Sequence, residues 1–174
     1  WQLGGERHYA LEGSVFVAGS LIQWLRDDLE LIDASPDTEP LARSVEDNGG
    51  VYLVPALSGL GAPQWQPHAR AAIHGLTFAA KKAHVARAAL EAIAHQTHDL
   101  KTAFTADGAD WAELRVDGGM VENGWMVQDL ADILAVEVER PDFVETTALG
   151  AAMLAGVGAG LYGSLAEASV MRGK

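Results

Sequence analysis

There is no cysteine in the 174 residues. Disulfides, zinc–thiolate sites and thiol catalysis are excluded. Basic residues are scarce, 12 Lys and Arg against 24 Asp and Glu, giving a net charge of −12. A nucleic-acid partner needs a basic face to neutralise phosphates, so none is expected, and neither is adhesion to an anionic membrane. A small nucleotide is not excluded, because a few local donors outweigh the global field. No run approaches ~18 uninterrupted apolar residues, so no transmembrane helix is expected. Neither low-complexity tracts nor internal repeats stand out. The opening WQLGGERHYALEG carries neither an initiator Met nor a secretory leader. The expectation is a cytoplasmic piece of a longer polypeptide.

What is present is ordinary for a globular chain: 49% hydrophobic and 21% charged residues. A domain of this length buries roughly 70% of its unfolded surface. A short extended piece is expected from Arg7 to Leu11. The spacing of Phe16, Ile22, Leu25 and Leu29 predicts a helix from about Ser14 to Leu31, with Gly19 inside it. A glycine there costs ~1 kcal/mol relative to Ala and marks a close approach. A short helix is predicted over Thr38 to Val45, stopped by Asn48-Gly49-Gly50. VYLVPAL and AAIHGLTF read as strands flanking the Gly- and Pro-rich loop SGLGAPQWQPHAR. The longest helix is predicted over Lys82 to about Ala106, closed by Asp107-Gly108. Its alanine stripe (Ala86, Ala89, Ile93) allows tight packing. ELRVDGG, NGWMVQDLADILA, VEVERP and TALGAAMLAGVGAG then read as strand, helix, strand, helix, and SLAEASV begins another helix. The alternation predicts an α/β fold with parallel pairing around Arg115–Val116 and Val136–Val138.

Three stretches carry chemistry. In VDGGMVEN, residues 116–123, a strand ends in Asp117-Gly118-Gly119 before a helix. Such a turn exposes backbone N–H groups and has no side chain to block a flat ring. Asn123 stands where an amide reaches a base or ribose edge, and ligands of α/β sheets collect at the carboxyl ends of strands. The alternative is a tight turn and nothing more. In EGSVFVAGSLIQW, Gly19 and Gln23 share one helix face. Either a slot for a ligand or a helix crossing accounts for the pair. In GLGAPQW, Gly59 and Gly61 form no phosphate loop of the Lys-Ser/Thr kind, and Trp65 fits a core anchor. His95 and His98 lie one turn apart beside Glu91 and Asp99, a pattern more typical of surface histidines than of a metal site. No metal ligand and no catalytic residue is assigned.

Taken in order, YALEGSVFVAGSLIQWLRD, GGVYLVPALSGLGAPQWQPHARAAIHGLT, ARAALEAIAHQTHDL, LRVDGGMVENGWMVQDLADIL and VERPDFVETTALGAAMLAG resemble the FGGY carbohydrate kinases. The resemblance runs from about Tyr9 to Gly160. LVPALSGLGAP and ETTALGAA favour the branch that phosphorylates glycerol over those acting on xylulose or gluconate. It implies an actin/hexokinase/Hsp70-like (ribonuclease H-like) ATPase lobe, with residues 1–174 a partial C-terminal kinase domain and the N-terminal substrate lobe absent. It implies ATP as nucleotide, with Mg²⁺ in the intact enzyme, and glycerol or a related polyol reached through the missing lobe. Gly19 resembles a residue near the ATP phosphates and Gln23 a nucleotide contact. Gly119 resembles the glycine beside the adenosine, and Asn123 the asparagine that contacts it. The aspartate base, most Mg²⁺-associated groups and the Thr-Gly-Thr phosphate loop belong to the absent part, so this chain alone is expected to be inactive. The alternatives are a lobe of another FGGY sugar or polyol kinase, and a non-catalytic actin-like nucleotide-binding module. Three departures stand out: Gln64 and Gln66 in GAPQWQP where Tyr and Asp are usual, NGW at the later helix start, and Met120 in place of Ala. Surface left bare by a missing lobe predicts a homo-oligomer.

Overall fold

The longest helix dictates the packing of the first half of the chain. In the computed structural model, which describes residues 2–3, 5–142 and 145–172, two compact units form, Trp1–Trp111 and Ala112–Lys174. Phe143 and Val144 of the VERPDFVETTALGAA block lie outside the described residues.

The first unit begins with a minimal hairpin, β1 (Gln2–Leu3) pairing antiparallel with β2 (Glu6–Arg7). The extended piece expected over Arg7–Leu11 therefore ends at its first residue, and residues 8–13 are irregular. Helix α1 covers Gly19–Asp27 only. Its expected first turn is instead tied to the glycine-rich loop, where the Ala62 N–H donates to the Ser14 carbonyl at 3.0 Å. Leu21, Ile22 and Leu25 are buried, whereas Phe16 and Leu29, counted in the same periodicity, are exposed. Past Asp27, the Leu29 N–H still reaches the Trp24 carbonyl, and Glu30 turns left-handed at φ 52°. Next come α2 (Thr38–Arg43), then β3 (Tyr52–Val54) antiparallel with β4 (Ala72–His74). Helix α3 (Lys82–Ala106) has the predicted bounds, and Gly108 follows it at φ 83°.

Helix α3 packs against α2, β3 and α1. Ala83, Ala86, Ala89 and Ala94 are buried beside Leu90 and Ile93, and small side chains allow this close approach from several sides. A polar latch adds to it. Arg87 pairs with Glu91 at 2.9 Å and donates to the Val45 and Glu46 carbonyls, both at 2.9 Å, while the Asn48 amide donates to Glu91 at 2.8 Å. Glu91 is thus engaged structurally. Asp99, beside His98, accepts from the Gln64 amide at 2.7 Å.

The second unit is built on one β–α–β step. Strand β5 (Glu113–Arg115) pairs parallel with β6 (Glu137–Glu139) in the register Glu113↔Glu137, Leu114↔Val138, Arg115↔Glu139. This is the parallel pairing expected from the alternation. Helix α4 (Gly124–Leu134) joins them, burying Met126, Leu130 and Leu134 at four-residue spacing. It stops at left-handed Ala135, φ 51°. Helices α5 (Thr146–Gly158) and α6 (Leu165–Ala168) complete the unit and pack on each other. Among the described residues, no helix is long and apolar enough to cross a membrane.

Candidate functional site

The Gly118–Gly119 turn, a flat shelf of backbone, begins where β5 ends. The Val116 N–H donates to the Glu139 carbonyl at 3.1 Å, the last rung joining the two strands. The chain then turns through Gly118, at φ 85° and ψ 172°. An L-residue rarely adopts that conformation, which is why a glycine stands there. Residues Gly119–Glu122 form a single 3₁₀ turn, closed by the Val121 N–H on the Gly118 carbonyl at 3.2 Å and pinned by buried Val121. A Cβ placed on Gly118 or Gly119 would meet no atom within 4 Å. Both glycines therefore present bare backbone to open space at the carboxyl end of a parallel strand.

Asn123 has a role that spacing alone did not reveal. It is the N-cap of α4, with extended backbone (φ −73°, ψ 98°), and its Oδ1 accepts the Met126 N–H at 2.9 Å. The cap satisfies one of the orphan donors of the helix start. Asn123 is a half-buried residue four positions after Gly119, directly following the 3₁₀ turn.

Two contacts from the segment after β6 hold this turn. The Thr146 hydroxyl donates to Asp117 Oδ2, and the Arg140 guanidinium donates to the Val121 carbonyl at 3.0 Å. Both join residues far apart in sequence, so no local pattern announced them. Beyond the strand ends a cleft of about 380 Å³ is lined by Asp117, Thr146, Leu149, Met153 and the Arg115–Glu139 pair. Arg115 donates to Glu139 at 2.7 Å. That hydrogen bond, with the attraction of the two charges, holds the Glu139 carboxyl below its ordinary range and raises the Arg115 guanidinium.

In the first unit, Gly19 and Gln23 share α1, as their spacing required. Gly19, however, is the first helical residue and not an interior one, following the cap Ala18. The cost of an interior glycine does not arise, because the helix starts there. Gly19 thus sits among the N–H groups that have no partner within the helix. It is half-buried and Gln23 is exposed. Trp65 is no core anchor. It is 64% exposed, left-handed at φ 48°, and meets Phe16 edge-on at 6.5 Å between ring centroids. Among the described residues no group of three or more His, Cys, Asp or Glu gathers as a metal site would require.

A glycine-floored turn at the end of a parallel β–α–β step belongs to an α/β lobe, and comparison with known proteins shows its family. Residues 2–159 match the C-terminal domain of the FGGY family of carbohydrate kinases. Glycerol kinase of Rhodospirillum centenum is 59% identical over 167 residues, 96% of this chain and 34% of that protein. Glycerol kinase of Coxiella burnetii is 56% identical over 159 residues, 91% of this chain and 32% of that protein. Among solved structures, Plasmodium falciparum glycerol kinase with ADP superposes with a TM-score of 0.78 at 38% identity, over 88% of this chain and 31% of that one. Ligand-bound xylulose kinase from Lactobacillus acidophilus follows with a TM-score of 0.73 at 25% identity, over 90% of this chain and 32% of that one. The chain belongs to the FGGY family of carbohydrate kinases, with the actin/hexokinase-like ATPase fold. It spans about a third of the length of the curated relatives it matches.

Proposed function

We propose that this chain is the nucleotide-binding part of an ATP-dependent polyol kinase that converts glycerol and ATP into sn-glycerol 3-phosphate and ADP. The observation that carries the reading is the open Gly118–Gly119 turn at the end of β5, free of side chains and leading into an Asn-capped helix. An adenosine ring system fits such a floor because nothing projects from it. Gly119 and Asn123 are assigned to the adenosine, and Gly19 and Gln23 to nucleotide contacts from α1. Identity of 55–59% to proteins named glycerol kinase supports glycerol as the acceptor. Mg²⁺ is assigned to the nucleotide phosphates and to parts of the kinase outside this chain. In-line transfer to an alcohol needs a base and a metal aligned on the γ-phosphorus, and no residue here is assigned as that base.

Calorimetric titration of Mg-ADP into the chain tests the reading. Saturable binding is expected, and Gly119→Val should abolish it by placing a branched side chain over the shelf. An unaltered titration with Gly119→Val would remove the shelf from the nucleotide site.

A further inference from the structure

We propose that Arg140 and Thr146 are positioning residues that clamp the Gly118–Gly119 shelf from both sides. The inference rests on the nucleotide reading of that shelf and adds the device that holds its shape. Two glycines in succession have no side chains to lock a turn, and glycine backbone is the most permissive of all. The turn's own closures are backbone hydrogen bonds, Val121 N–H to the Gly118 carbonyl at 3.2 Å and Asn123 N–H to the Met120 carbonyl at 3.1 Å, and both leave Asp117 unheld on the strand side. Long-range restraint arrives from the β6–α5 segment. Thr146, in the first turn of α5, donates its hydroxyl to Asp117, the residue just before Gly118. Arg140, just past the end of β6, donates to the carbonyl of Val121, two residues after Gly119. The anchors thus fall on either side of the two glycines and touch neither. Arg140 serves a backbone carbonyl, and a charged donor on such an acceptor is stronger than a neutral one. Val121 is itself buried, which fixes the residue that carries this carbonyl. A ring resting on bare backbone gains nothing from side-chain adaptation. Its affinity depends on the backbone being set beforehand, and pre-organisation of that kind is what the two anchors contribute.

The test uses the full chain and four variants: Thr146→Val, Thr146→Ser, Arg140→Met and Arg140→Lys. Two readouts are taken, the ¹⁵N–¹H signals of Gly118 and Gly119 without ligand, and the Mg-ADP affinity. Thr146→Val keeps the side-chain volume and removes the donor. It should shift or broaden both glycine signals while α3 signals stay in place, and weaken Mg-ADP by about 3- to 10-fold, the effect of one hydrogen bond. Arg140→Met should do the same, and Thr146→Ser and Arg140→Lys should return both readouts toward the parent. Folded Thr146→Val and Arg140→Met proteins with parental glycine signals would overturn the clamp. Displaced signals with parental affinity would overturn its bearing on the nucleotide. A parent chain that binds no Mg-ADP would overturn the nucleotide reading of the shelf, and the glycine signals would still decide the clamp.

Discussion

Neighbouring glycines in the shelf differ in what they demand. Gly118 is held at φ 85°, where an L-residue is strained, so Gly118→Ala should destabilise the second unit by about 1–2 kcal/mol. Gly119 has no such conformation, and an added Cβ there meets nothing within 4 Å. Gly119→Val should therefore cost under about 0.5 kcal/mol, which makes its effect on Mg-ADP interpretable. Asn123 requires two variants because it caps α4. Asn123→Ala should cost about 1 kcal/mol through the lost cap. Asn123→Asp keeps an accepting oxygen at the cap and should leave stability near the parent value while weakening Mg-ADP. Urea unfolding of the four proteins measures the stabilities, and an Asn123→Ala protein as stable as the parent would contradict the cap. The spacing of Gly119 and Asn123 was legible in the sequence. The cap was not, because the same residue type at the same offset serves a ligand or a helix end equally well.

At the scale of elements, sequence pattern served where the signals that start and stop a helix are local. Helix α3 matched its expected bounds since its alanines and its Asp107-Gly108 stop are local signals. Helix α1 did not, because residues 14–17 are engaged by the glycine-rich loop through Ser14, a partner 48 residues away that no window of sequence contains. The β5–β6 pair offers a pH test at this scale. Glu139 has its carboxyl lowered by Arg115, so its contribution is present above the ordinary glutamate range and is lost as pH falls through the lowered value. The pair is exposed, and solvent and salt screen it, so the effect is small. The melting temperature of Glu139→Gln should lie slightly below the parent at pH 7 and converge on it only once pH has fallen below the ordinary glutamate range. Parallel curves across that range would show that the pair contributes nothing.

For the whole molecule, the chain spans about a third of the length of the curated relatives it matches. Phosphoryl transfer joins two bound substrates across a site that needs a base, a metal and an acceptor pocket. The purified chain should bind nucleotide and yet form no sn-glycerol 3-phosphate from glycerol and Mg-ATP, followed by direct product assay. Glycerol-dependent turnover by the chain alone would mean that a base lies among its own residues.

What the sequence determined by itself was the set of local choices: the bounds of α3, the parallel β–α–β step, the glycine turn and the family resemblance carried by five blocks in order. These depend on short-range propensity and pattern, which neighbouring residues encode. Only the tertiary structure decided that Gly19 starts its helix, that Trp65 lies exposed, that Asn123 caps α4, and that Thr146 and Arg140 reach back to Asp117 and Val121. Each of those outcomes depends on which distant segment arrives to satisfy a donor or cover a face. That choice is made by packing and hydrogen-bond completion over the folded unit.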